Sequence, residues 1–148
     1  MEEFLLTLHI LAAGTWIGAN VVQFVVTPRV GGAGAEVAAH WHRTAVSLGL
    51  KLYTPAAILL VITGFGLVGV SDGLYEMSDP FVSLGFLTVI VGAALSMRVF
   101  APLGRRIADT YERGGDTGPL ERRRATLAGV DTLLVVVTVA AMVAKWGA

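Results

Sequence analysis

The sequence predicts an all-α integral membrane protein, a four-helix bundle running up-down-up-down, on three observations. The first is composition: of 148 residues, 55% are hydrophobic and 15% charged, and the mean hydropathy of +0.72 lies well above that of soluble domains. The second is the grouping of the apolar residues into four runs, 4–26, 50–70, 81–101 and 125–146. Each is long enough to cross a hydrocarbon core of ~30 Å at ~1.5 Å per helical residue. The third is the placing of lysine and arginine. Arg29, Arg43, Lys51 and six arginines between 103 and 124 accompany the links after the first and third runs, whereas the opposite side has Lys145 alone. That bias predicts both termini outside, in a single domain spanning 1–148 and embedded in the lipid bilayer of a cell membrane, with a prokaryotic plasma membrane as the expected setting.

Each element has a local reason. Met1-Glu2-Glu3 is acidic and no small-residue cleavage pattern follows, so the first run is expected to be kept as a spanning helix rather than removed as a signal peptide. Thr27-Pro28-Arg29 is expected to end it, and Gly31-Gly32-Ala33-Gly34 to make a flexible turn. Residues 35–48 are weakly amphipathic and carry Glu36, His40, Trp41, His42 and Arg43, reading as an interfacial helix or an extension of the second span. The second span has Pro55 near its start and Thr63-Gly64-Phe65-Gly66 in its outer half. A short acidic link holds Asp72, Glu76 and Asp79. The third span is expected to stop or kink at Pro102. Residues 103–124 read as a polar link, and the fourth span follows. No internal repeat is evident.

Helical spacing sets the faces of the first span. At ~100° per residue, Ala13, Trp16, Asn20, Gln23 and Thr27 return to within about 40° of His9, so most polar atoms fall on one stripe. Such a stripe is costly against lipid and should face other helices. Gly14 and Gly18 form a G-x-x-x-G pair on another face, expected to pack on a helix of the same chain or of a homodimer or higher homo-oligomer.

The absence of cysteine excludes disulfides, thiolate metal sites and cysteine nucleophiles, so redox chemistry requires a bound cofactor. Zero net charge gives no sign of nucleic-acid binding. His9, one to two turns below the outer surface, is a packing residue or a ligand. Trp16 is a flat wall for a planar cofactor or ordinary packing. On the fourth span Asp131, Thr138, Met142 and Lys145 share a stripe, and Met142 lies as deep as His9; a His/Met pair on a heme iron is one reading and gap-filling by Met142 the other. His40 and His42 lie at the opposite membrane side and read as interfacial residues beside Trp41, or as ligands of a second cofactor or metal. Arg98 and Asp131, near the same side, are expected to pair, which lowers the cost of both charges and offers a hold for a propionate or a proton path.

Leu8-His9-Ile10 followed by Trp16-Ile17-Gly18, then Pro28-Arg29, Lys51-Leu52-Tyr53-Thr54-Pro55-Ala56 and Thr63-Gly64, resembles the membrane superfamily of HemJ-type protoporphyrinogen oxidases, CopD-type copper-resistance proteins and their four-helix relatives. The resemblance covers roughly the first half of the chain, and it implies heme b binding through His9. The third span departs from the oxidase pattern: Phe81-Val82-Ser83-Leu84-Gly85 stands where those proteins have a lysine, and Ser96-Met97-Arg98 where they have a histidine. The expectation is therefore a heme b protein working in redox chemistry or electron transfer with a separate redox partner, an oxidoreductase if it is an enzyme. His9 is the iron ligand, and Trp16, Asn20, Met142, Arg98 and Asp131 are candidate cofactor residues. Copper handling and a cofactor-free assembly role are the alternatives.

Overall fold

The computed structural model describes residues 1–146, and all regular structure among them is helical. Helix α1 (Glu2–Gly31) is followed by α2 (Ala35–Leu48) and α3 (Thr54–Val70), which a π-helical turn at Gly49–Tyr53 joins into one rod. Helices α4 (Pro80–Leu95) and α5 (Ala101–Glu112) form a second rod through a π turn at Ser96–Phe100, and α6 (Gly118–Ala144) closes the bundle. Four helical stretches are long and apolar enough to cross a membrane. Their outward side chains are apolar: Ile10, Ile62, Ile90 and Leu133, one from each, are between 60% and 65% exposed. A bundle folded in water would bury such residues; this exterior suits lipid, while the polar groups turn inward.

The helix ends follow from local chemistry. Glu2 and Glu3 in the first turn of α1 and Arg29 in its last turn complement the helix dipole. Gly34, at φ 112°, makes the tight turn into α2 that a side chain would strain. Lys145 ends α6 in the left-handed region, its N–H returning to the Met142 carbonyl and that of Trp146 to Ala141.

Two prolines do not break the chain as expected. Helix α1 runs through Pro28 to Gly31, because the proline sits in the last turn, where the loss is confined to one N–H, and the Arg29 guanidinium folds back onto the Val25 carbonyl. Pro102 neither stops the third span nor opens a link. The π turn Ser96–Phe100 ends just before Ala101-Pro102, as Gly49–Tyr53 ends just before Thr54-Pro55. The wider turn absorbs the missing N–H and the bulk of the ring. Most of the polar 103–124 stretch is thus helical, in α5 and the start of α6, and only 113–117 connects them.

Helix α1 packs mainly along α3, α4 along α6, and α2 against α5. A Cβ on Gly104 would stand 2.7 Å from Val46 Cγ2, so the α2–α5 approach requires glycine there. A Cβ on Gly49 would lie 3.4 Å from Ser96 Oγ, which sets the two π turns face to face. Arg43 of α2 ties to Asp109 at 3.0 Å and Glu112 at 2.8 Å on α5. This is the arginine-rich end. At the opposite, acidic end Lys145 Nζ lies 5.1 Å from the centre of the Tyr75 ring. Among the described residues nothing lies within 4 Å of a Cβ built on Gly14 or Gly18, so the expected close packing on this face is not made within the chain.

Candidate functional site

Looser packing between the α1–α3 and α4–α6 pairs leaves an apolar cavity of about 720 Å³ towards the acidic end, bordered by all four spans. That volume lies within the ~300–1,000 Å³ of small-molecule and cofactor sites. His9 is on its wall, with Trp16, Thr88, Thr138 and Met142, and Glu2, Tyr75 and Lys145 border it at the acidic end.

The sequence of α3 fixes the state of His9. Thr63 Oγ1 lies 2.8 Å from His9 Nδ1 and donates its single hydrogen to the Leu59 carbonyl at 2.6 Å, so it accepts from Nδ1–H. In a neutral ring that tautomer has its lone pair on Nε2, and the one hydrogen bond of the ring among the described residues is the one at Nδ1. Gly64 makes room for the ring: a Cβ there would stand 3.7 Å from His9 Cε1 and 3.5 Å from Phe86 Cζ. Across the cavity, the Met142 methyl occupies the space a Cβ on Gly85 would take.

Trp16 separates this cavity from a smaller one of about 140 Å³ towards the arginine-rich end, and lines both. It is 4% exposed, meets Tyr53 edge-on at 5.7 Å, and leaves a Cβ on Gly92 only 2.6 Å from its Cζ2. Below it runs a chain of hydrogen bonds. Arg124 donates to Gln23 Oε1, Gln23 Nε2 to Tyr53 Oη at 2.8 Å, Tyr53 Oη to Asn20 Oδ1 at 2.6 Å, and Asn20 Nδ2 to Asp131 Oδ2 at 3.3 Å and Thr132 Oγ1 at 3.0 Å. At its base, His42 Nε2 is 3.6 Å from Glu121 Oε1, which also accepts from Tyr111 Oη at 2.6 Å.

The sequence-derived residues therefore divide. His9, Trp16 and Met142 share the larger cavity, called outer for its place at the acidic end; Asn20 and Asp131 meet Trp16 at the smaller, inner one towards the arginine-rich end. Arg98 borders neither, is exposed, and makes no ion pair among the described residues, so the expected Arg98–Asp131 pair is not formed. The π turn Ser96–Phe100 changes the helical phase at Arg98, and Asp131 takes its hydrogen bond from Asn20 instead. His42 is not exposed: at 1% exposure it is enclosed between α2, α5 and α6, while His40 is exposed. Trp41 Nε1 donates to Thr27 Oγ1, which sets this part of α2 level with Thr27, just beyond the apolar run of α1. There burial first, and Arg124 second, hold His42 down to about 4, against the weaker opposing pull of Glu121. The partners Thr63, Tyr53 and Arg124 carried no helical-stripe signal, since each acts across helices. No protein-family profile, curated protein or solved structure matches this chain.

Proposed function

We propose that this chain is a heme b protein of the cell membrane that uses His9 as an iron ligand in the outer cavity and works in electron transfer or heme-linked redox chemistry. The observation that carries the reading is the pairing of His9 with Thr63: Nδ1–H is engaged, Nε2 keeps its lone pair, and the ring borders an apolar space of cofactor size. Histidines that bind metals are held this way, the far nitrogen donating to a fixed acceptor that sets tautomer and ring orientation. The resemblance of the first half to HemJ-type and CopD-type proteins supports the same assignment.

A b-type heme would supply one-electron redox chemistry. The chain supplies the surroundings. Aliphatic and aromatic walls from all four spans would favour the less charged state of an iron bound between them. Trp16 closes the inner side. Met142 brings a thioether to the same cavity and is the candidate second ligand. Lys145, beside Tyr75 at the acidic end, is the cation placed to pair with ligand carboxylates, the role the sequence had offered to Arg98.

Lysine and arginine distribution supports an arginine-rich end in the cytoplasm and both termini outside. A reporter after Trp146 is expected to be exported and one at Gly115 retained. For the heme itself, protein purified after expression with ample heme is expected to show a Soret band and a b-type α-band on reduction. His9→Ala should lose most of the heme and keep its helix content, while His40→Ala keeps both. A colourless wild type would leave copper handling or a cofactor-free assembly role.

A further inference from the structure

We propose that Asp131 is a proton-carrying carboxylate, loaded from the arginine-rich end through water held in the inner cavity. The inference goes beyond the heme reading and stands without it. Asp131 is 6% exposed and has no cation within ion-pair distance among the described residues. A buried carboxylate without a countercharge is expensive, and a carboxyl in such a place is held at low cost when it takes a proton.

Two further observations supply a route. The donors run one way, from Arg124 through Gln23, Tyr53 and Asn20 to Asp131, so every polar side chain on that wall is fixed in direction. The amides of Gln23 and Asn20 do not ionise; they hold the wall, and the proton moves through water beside it. The cavity, about 140 Å³, has room for several waters at about 30 Å³ each. Trp16, His42 and Arg124 line it, and among the described residues His42 Nδ1 and Arg124 Nε are buried without a protein partner. Buried groups of this kind are normally met by ordered water.

The other end of the cavity is Glu121, whose side chain is 32% exposed and so reaches the surface. The ionisable groups facing the route are Tyr53 in the π turn of the α2–α3 rod, His42 on α2, Tyr111 on α5 through Glu121, and Arg124 and Glu121 on α6. Helix α1 gives Trp16, Asn20 and Gln23, and the α4–α5 rod gives Gly92 and Ser96. Loading forms one O–H bond on Asp131 as the adjacent cavity water passes on one proton and takes up another from the next water, the net proton entering from solvent past Glu121. No electron moves. Trp16, which meets Asp131 over Gly92, then separates the loaded carboxyl from the outer cavity.

The chain has no cysteine, so single cysteines give a clean test. Ala128→Cys, on the inner cavity wall, is expected to react with a charged, membrane-impermeant thiol reagent added at the arginine-rich face of oriented vesicles and not at the other. Infrared difference spectra of reconstituted protein should show a carboxylic-acid C=O band that Asp131→Asn removes and that shifts in deuterated water. Ala128→Leu, which fills the cavity, should slow that shift about tenfold or more by closing water access. An Ala128→Cys that reacts from neither face or only from the acidic side, an acid band unchanged by Asp131→Asn, or a shift equally fast in a folded Ala128→Leu would each overturn the proposal. If Ala128→Leu does not fold, the cysteine and Asp131→Asn results carry the test.

Discussion

Thr63 shapes the chemistry of His9 by having one hydrogen to give. With that hydrogen on the Leu59 carbonyl, the hydroxyl accepts from Nδ1–H, which leaves Nε2 free for the ligand role proposed for it. Thr63→Val should keep the shape of α3 and remove the acceptor, at about 1 kcal/mol in stability and roughly tenfold or more in heme affinity. Thr63→Ser should restore most of both. A heme titration of the three proteins, followed at the Soret band, checks this, and equal affinities would remove Thr63 from the site. At this scale the sequence was partly legible. The stripe of His9, Trp16, Asn20, Gln23 and Thr27 followed from the helical period, and each of its polar members meets a partner from another helix. Their pairings were not legible: Tyr53 and Thr63 stand in the motifs of the resemblance, but which residues they and Arg124 meet is set by packing that no local pattern encodes. Arg98 misled because the turn containing it is not α-helical.

Among the elements, the α2–α5 pair is the least expected and the most informative. The π turns carry both rods past Pro55 and Pro102 and set α2 and α5 against each other over Gly104. A proline following a run of apolar residues reads as a stop; whether a wider turn absorbs it depends on the partner rod, so a link is expected where there is a helix. Gly104→Val should drive a Cβ into Val46 and cost about 1–3 kcal/mol, with Val46→Ala recovering part of the loss. Thermal unfolding in detergent measures both, and strictly additive effects would deny the contact. The same layer predicts an acid sensitivity. His42 is held to about 4 in the fold, against 6.5 when free. The unfolded chain therefore binds the extra proton first as pH falls. Stability from this group is complete above about 6.5 and lost progressively towards 4. The unfolding midpoint should fall over that window, and His42→Gln should flatten the fall; an unchanged slope would mean that His42 is not the sensing group.

For the whole molecule, the fold follows from a division of labour that is visible in the composition. Apolar side chains face outward on all four spans, and the polar residues gather inside in two places divided by Trp16. The four-span architecture was legible because hydropathy and length act at the scale of a whole segment. The two cavities were not, because they arise where helix pairs fail to meet. Heme binding as proposed requires His9 as the ligand in the outer of these cavities, and its most direct measurement is chemical rescue of His9→Gly. The glycine leaves a space the size of the imidazole beside Thr63 and Gly64. Folded His9→Gly should bind little heme alone, and added imidazole should restore the Soret and reduced α-bands of the wild type. Full heme content without imidazole, or no recovery with it in a folded protein, would contradict the assignment.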